Sequence, residues 1–91
     1  MNINIPAGSS SGPVTASGVL KGAEGQLLGV LVSSTSSGTI KLWDNATTGS
    51  GTVLIDTFTP AGTGWFPLPF MFKNGCYVTI GGTISAAFSF I

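Results

Sequence analysis

Hydrophobic and polar residues alternate with a period of two along most of the chain. In the segment TIKLWD, Ile40 and Leu42 face one way while Lys41 and Trp43 face the other, and in GTISAAFSF every second side chain is apolar. Successive side chains of a β-strand point to opposite faces, so this period is typical of half-buried strands. No window shows the spacing of an amphipathic helix, and glycines recur every few residues, which disfavours helix interiors. The pattern therefore predicts an all-β protein with no substantial helix.

Short segments with this pattern are separated by residues that favour turns. The predicted strands are residues 14–21, 26–33, 38–44, 52–59, 65–73, 76–81 and 83–90. Strands recurring at about 8–12 residues are typical of a sandwich or barrel, so we expect a small antiparallel β-sandwich of about seven or eight short strands. The dipeptide Asn74-Gly75 suits a type I′ turn, in which both central residues need a positive φ. Residues 65–81 are therefore expected to form a tight hairpin.

The N-terminal residues 1–13, MNINIPAGSSSGP, have a different composition. Serine and glycine favour flexibility, and the two prolines exclude a helix. We expect a flexible arm here, followed by a single domain over residues 14–91. Ile3 and Ile5 form a short apolar patch that can dock on a neighbouring subunit as an added strand, and a disordered tail is the alternative.

The segment WFPLPFMF is both the longest apolar stretch of the chain and rich in proline. Its even-numbered residues can line a core, and its odd-numbered residues form a second apolar surface, here called the proline strip: Trp65, Pro67, Pro69 and Met71. Prolines within sheets are confined to edges or bulges, and on an edge they hinder uncontrolled pairing with other strands. The sequence therefore predicts an edge strand. Its proline strip must be covered by the chain's own loops or arm, by another subunit or by a ligand, and Trp43 is a further candidate for a subunit contact.

Charged residues are scarce and balanced. They make up 7% of the chain, with three lysines against three acids, whereas about 25% is usual. Solubility normally relies on interspersed charge and on a net charge away from zero. We therefore expect the chain to associate with copies of itself.

The sequence offers no catalytic constellation. It has no histidine, no arginine and a single cysteine, Cys76, which lacks a base to activate it. The acids Glu24, Asp44 and Asp56 are far apart in sequence, so we predict no enzymatic activity, no cofactor and no metal site. Nucleic-acid binding is rejected because three balanced lysines make no basic stripe. No apolar stretch approaches the roughly 18 residues of a membrane span, and the N-terminus has no signal-peptide pattern, so we expect a cytoplasmic product.

Carbohydrate binding is the alternative function. Trp43, Asp44 and Asn45 lie next to a loop rich in threonine, serine and glycine. An exposed aromatic ring beside such polar groups can stack on a sugar and hydrogen-bond to it. The chain could then be a lectin-like module or part of a head or tail fibre that binds a glycan.

About half of the chain, residues 38–83, resembles small virion proteins of tailed bacteriophages. The resemblance is carried by KLWDN (41–45), by FPLPFMF (66–72) and by Gly75, Tyr77 and Val78, while Cys76 stands where an aliphatic residue is expected. It implies a capsid decoration or cement protein with a jelly-roll-like sandwich. Such a protein would be assembled in the host cytoplasm and form trimers on the capsid surface. There it would contact the major capsid protein and tie capsomers together against internal pressure.

Overall fold

The computed structural model describes residues 8–91, which form strands and connecting loops and no helix. The strands are β1 (Ser9–Val14), β2 (Gly18–Lys21), β3 (Gly25–Asp44), β4 (Thr52–Phe58), β5 (Gly64–Phe72) and β6 (Cys76–Phe90). Every strand pair is antiparallel. The prediction of an all-β antiparallel protein is confirmed for this part of the chain. In residues 8–91 no helix has the length and apolar character needed to cross a membrane.

Two long strands, β3 and β6, form the centre of the sheet and pair with each other along most of their length. β1 and β2 pair with the outer side of β6, and β4 and β5 pair with the outer side of β3. β3 joins the predicted strands 26–33 and 38–44, and β6 joins 76–81 and 83–90. The prediction separated them because serine and glycine between them indicate loops, yet the backbone pairing continues through these residues.

Strand β3 is bent in its middle. Its 20 residues would span roughly 65 Å if straight, at about 3.3 Å per residue, but the longest dimension of the molecule is 42 Å. The pairing register with β6 shifts between Val32 and Ser34 and again between Ser36 and Ser37. Nearby, Ser37 has a φ of 59° and Gly82 on β6 has a φ of 64°, both in the left-handed region. The bend brings the two ends of β3 close to each other. Its first residue, Gly25, pairs with Phe72, and its last residue, Asp44, accepts hydrogen bonds from the turn that follows Phe72.

The bend divides the sheet into two halves with different neighbours. The charge-free half consists of β1, β5, residues 25–32 of β3 and residues 84–90 of β6, and the charged half consists of β2, β4, residues 39–44 and residues 76–81. No charged residue lies in the strands of the charge-free half. The six charged residues lie in the charged half or in turns: Lys21, Glu24, Lys41, Asp44, Asp56 and Lys73.

The hydrophobic core draws on both halves. Val30 and Phe88 of the charge-free half belong to the same buried cluster as Ile40, Leu42 and Val78 of the charged half. Each fully buried side chain of this size contributes about 1.5–3 kcal/mol through loss of apolar surface from water. The other, outer face of each half is directed away from this cluster.

The predicted hairpin over residues 65–81 is wrong. β5 pairs with the first part of β3, and β6 begins beside the last part of β3, so the turn between them passes from one half of the sheet to the other. Asn74 lacks the positive φ of a type I′ turn. Glycine is needed at position 75 for another reason: a Cβ there would lie 2.7 Å from the Lys21 carbonyl oxygen and 2.7 Å from Ala46 Cα.

The predicted arm is too long at its C-terminal end. Residues 9–13, which the composition assigns to a flexible segment, form most of β1 and pair with β6. The Ser11 hydroxyl also accepts a hydrogen bond of 2.8 Å from the Phe88 N–H. Backbone pairing with a long neighbouring strand therefore overrides the local preference of serine and glycine. The rest of the arm, residues 1–7 with Ile3 and Ile5, lies outside the described residues.

Candidate interaction surface

The proline strip lies on an edge strand. Among residues 8–91, β5 pairs only with β3, as the two prolines predict. All four side chains of the strip are exposed, with 51% of the Trp65 surface and 73% of the Met71 surface open to solvent. Among the even-numbered residues of β5, which are expected to line the core, Phe66 and Leu68 are half-buried and Phe72 is buried. Phe70 departs from this pattern and is exposed.

The strip continues across the sheet. Trp65 is paired with Leu31, Leu31 with Ala87, and Ala87 with Pro13. Residues directly opposite each other on antiparallel strands place their side chains on the same face. These four side chains therefore form one row over all four strands of the charge-free half, and Leu31 is 49% exposed.

A second apolar row crosses the end of the same face. Met71 is paired with Gln26, and Gln26 exchanges two backbone hydrogen bonds, of 2.7 and 2.8 Å, with Ile91. Both Met71 and Ile91 are exposed. The two rows and the proline strip that joins them along β5 define one surface, here called the uncharged face: Trp65, Pro67, Pro69, Met71, Leu31, Ala87, Pro13, Gln26 and Ile91.

The Trp65 indole lies across β3 and covers Gly29. A Cβ added to Gly29 would lie 2.5 Å from one carbon of the six-membered ring and 2.6 Å from the next. Only glycine allows the ring this close approach to the backbone. The Trp65 ring therefore lies against the backbone of β3. Together with Leu31 it forms a ridge on this face.

The outer face of the charged half carries an equivalent row, whose aromatic middle is covered while its two ends, Val19 and Val53, are exposed. Trp43 is paired with Val53 on one side and with Tyr77 on the other. The indole N–H of Trp43 donates a hydrogen bond of 2.9 Å to the Thr79 hydroxyl, and the Lys41 ammonium lies 4.4 Å from the ring centroid. A cation over an aromatic face contributes about 0.5–1 kcal/mol at an exposed site.

The loop after β3 closes over this aromatic pair. Gly49 sits close to both rings, since an added Cβ would lie 3.3 Å from the indole nitrogen of Trp43 and 3.2 Å from a ring carbon of Tyr77. Asn45 fixes the loop: its side-chain oxygen accepts from the N–H groups of Thr47 and Thr48, and its amide donates to the Ser50 carbonyl. The polar groups that could hold a sugar here are thus engaged within the chain.

Asp44 ties the end of β3 to the turn between β5 and β6. Its carboxylate accepts hydrogen bonds of 3.0 Å from the Lys73 N–H and 2.8 Å from the Asn74 N–H. Burial alone would raise the pKa of Asp44, but the backbone N–H groups of Lys73, Asn74 and Gly75 and the Lys73 charge lower the pKa overall. The ionised carboxylate is therefore the form that holds the turn.

The described residues offer little for catalysis. No cavity is found among residues 8–91, and in that range no three His, Cys, Asp or Glu side chains lie close enough to hold a metal ion. Cys76 is fully buried, and its burial, assisted by the Asp44 charge, raises the pKa of the thiol to about 12. The absence of an enzymatic activity stays a prediction.

The structure brings together only part of the predicted contact set. Trp65, Pro67, Pro69 and Met71 share the uncharged face, whereas Trp43 lies in the other half. Sequence reasoning missed Leu31 and Ala87. Leu31 lies in the continuous apolar run LLGVLV, where alternation is invisible, and Ala87 interrupts an otherwise polar face.

Comparison with known proteins gives no relative: no protein-family model, no curated protein and no solved structure matches the chain.

Proposed function

We propose that this chain is a structural virion protein that acts by assembly, as a capsid decoration or cement protein bound to the surface of a shell. One observation carries the proposal. An edge strand that two prolines protect still presents Trp65 and Met71 to solvent, next to further exposed apolar side chains and without any charge. Large apolar patches on small proteins mark interaction sites. The resemblance to phage head proteins supplies the class of assembly.

We also propose that the strands form a jelly-roll sandwich. Dividing β3 at its bend and β6 at Gly82, which has a positive φ, turns six strands into eight segments, and these pair in the orders 1-8-3-6 and 2-7-4-5 when numbered along the chain. These are the orders of the two sheets of a jelly roll, a fold used by capsid and lectin domains. The core shared by both halves supports a face-to-face packing of the two sheets.

Assembly would also compensate for the small size of the domain. A domain below about 100 residues buries only roughly 60–65% of the surface of its unfolded chain, so its core is marginal. A standard interface removes about 800 Å² per partner from water, which is favourable by about 25 cal/mol for each apolar Å². A symmetric homo-oligomer on the shell, a trimer in the family that the sequence resembles, would gain part of this stabilisation at each contact and cross-link capsomers.

The carbohydrate-binding alternative is less well supported by the contacts. Its candidate ring, Trp43, already donates its N–H to Thr79 and lies under Lys41 and Gly49. Asp44 and Asn45 use their side chains to hold backbone groups of the turn and the loop. We therefore do not place a glycan site there.

Sedimentation velocity at micromolar concentration tests the proposal. We expect an oligomer that the substitution Trp65→Ser dissociates into folded monomers, with an unchanged far-ultraviolet circular dichroism spectrum. Val53→Ser, at an exposed position of the charged half, is the matched control and should leave the oligomer intact. A stable wild-type monomer would refute assembly as the mode of action. A major capsid protein gene beside the gene for this chain would support the virion assignment, and its absence from the neighbourhood would count against it.

A further inference from the structure

We infer that the uncharged face binds a second copy of this chain, face to face and about a two-fold axis. This inference rests on the proposed function and deepens it, because it names the contact surface and its symmetry. It places a two-fold contact where the resemblance implies a threefold one.

Edge-to-edge addition of strands is hindered at all four outer strands. β5 carries Pro67 and Pro69, and β1 contains Pro13 beside a register shift. β2 has only four residues. β4 is paired with β3 through two register shifts and carries the exposed carboxylate of Asp56. Prolines, bulges, short strands and charges are the devices by which edge strands avoid pairing with other chains. A second copy is therefore expected on a face.

Charge distinguishes the two outer faces as docking surfaces. No charged residue lies in the strands of the charge-free half, so two copies that meet there bury no ionised group. Burial of an unpaired charge is strongly unfavourable. The outer face of the charged half presents Lys41, which pairs with Asp56 at 3.8 Å, and its aromatic pair is covered by the loop at Gly49. Only the uncharged face can meet a copy of itself without this cost.

The relief of the uncharged face is self-complementary. Leu31 and Trp65 form a ridge on β3 and β5, whereas the neighbouring outward residues of β6 are the small Ser85 and Ala87. A two-fold axis between ridge and groove sets each ridge into the groove of the other copy, which is the reciprocal geometry of an isologous contact. Aligned sheets pack in this way at about 10 Å.

The size of the face predicts a weak contact. Four strands at about 4.8 Å and about six residues at about 3.3 Å cover roughly 300–400 Å², well below the roughly 800 Å² per partner of a standard interface. We therefore expect a dissociation constant in the micromolar range in solution. Many neighbouring contacts on a shell would strengthen it through the high effective concentration of subunits.

The test is sedimentation equilibrium of the full chain across micromolar concentrations, with substitutions on both sides of the contact. Leu31→Lys on the ridge and Ala87→Lys in the groove should each raise the dimer dissociation constant at least tenfold, because each buries a charge against a copy of itself. Val19→Lys, which is 47% exposed on the outer face of the charged half, should leave the constant unchanged. Urea unfolding of each dilute variant checks that the monomer remains folded.

The outcomes separate this inference from the proposed function. A trimer, or an oligomer that Leu31→Lys and Ala87→Lys leave intact while Trp65→Ser dissociates it, would overturn the two-fold face and leave the assembly function standing. A monomer at all concentrations would overturn both. A further outcome is a monomer that dimerises only after residues 1–7 are removed. It would identify the chain's own N-terminus as the occupant of the face and overturn the inference for the full chain.

Discussion

The two tryptophans of this protein lie on the outer faces of the two halves of one bent sheet, and they differ in almost every contact. Trp43 has a hydrogen-bond acceptor in Thr79, a cation above its ring and a loop across it. Trp65 lies over a glycine with half of its surface in solvent. The charged half thus covers the aromatic middle of its outer face with its own side chains and leaves only Val19 and Val53, at the ends of that row, as exposed large apolar residues. The charge-free half leaves its outer face open, and we propose that another subunit completes it.

The largest effect is expected from removing the covered tryptophan. Trp43→Ala deletes a ring that contacts Lys41, Tyr77 and the loop at Gly49, and it leaves the Thr79 hydroxyl without its donor. Large-to-small substitutions of aromatic core residues cost about 3–5 kcal/mol, and the partial exposure of Trp43 places the expected loss at about 3 kcal/mol. Urea unfolding measures it. Val53→Ala in the same row should cost well under half as much, and equal losses would show that the loop and hydrogen bond contribute little.

Loss of the hydrogen bonds between the Asp44 carboxylate and the turn after β5 should have the next largest effect on the free energy of unfolding. Asp44→Asn removes the charge that accepts N–H groups of Lys73 and Asn74. Hydrogen bonds to charged groups contribute about 1.5–3 kcal/mol when buried, so at this partly exposed site we expect a loss of about 1–2 kcal/mol.

The stabilisation by the Asp44 carboxylate should also depend on pH in a defined direction. Because folding lowers the pKa of Asp44 from its ordinary value of 3.8, the folded state favours the ionised form. The stabilisation is then fully present above the unfolded pKa and is lost as pH falls through the folded pKa. Wild-type unfolding free energy should therefore drop more steeply below about pH 4 than that of Asp44→Asn. Parallel curves for the two proteins would assign the acid sensitivity to other groups.

The strand content of this fold was accessible to sequence reasoning because period-two alternation is a local property. The edge position of β5 was accessible as well, since Pro67 and Pro69 remove backbone donors wherever they lie. The bend of β3 was not, because Ser33 to Gly38 has the composition of a loop while its backbone pairs with β6. The role of Gly75 was misread for a similar reason: its close approach to Ala46 depends on strands that are distant in sequence.

The candidate surface, too, could be predicted from the sequence only in part. The alternating pattern of β5 places Trp65 and Met71 on one face without knowledge of any partner strand. Leu31 and Ala87 become part of the surface only through the register of β3 with β5 and β6. Register is decided by the packing of the inner faces, with Val30 opposite both Phe66 and Phe88, and by the bulge after Leu27. These are properties of the tertiary structure.

Removal of the exposed Trp65 ring should lower the free energy of unfolding less than removal of the covered Trp43 ring. Trp65→Ala at submicromolar concentration, where the proposed contact is dissociated, takes away a ring of which 51% is already in solvent. We expect a loss of about 1–1.5 kcal/mol, in the middle of the usual range for single substitutions, because the remaining contact is with Gly29 and the backbone of β3. At higher concentration the difference from wild type should widen, since only the wild type gains from association. A difference independent of concentration would assign Trp65 a role within the subunit alone.

The smallest effect is expected at the ion pair of the charged half. Lys41 and Asp56 are 3.8 Å apart, and the Asp56 side chain is 88% exposed. Exposed pairs of this kind contribute about 0–1 kcal/mol and weaken with salt, so Asp56→Asn should lower the unfolding free energy by at most about 0.5 kcal/mol. The Lys41 ammonium remains over the Trp43 ring in this variant, which separates the two contacts of the lysine. If Asp56→Asn instead weakened the protein as much as Trp43→Ala does, the carboxylate would be positioning Lys41 over the indole. The charged half would then owe the covered ring on its outer face to its ionic side chains, and the absence of charge from the strands of the other half would by itself account for the exposed Trp65.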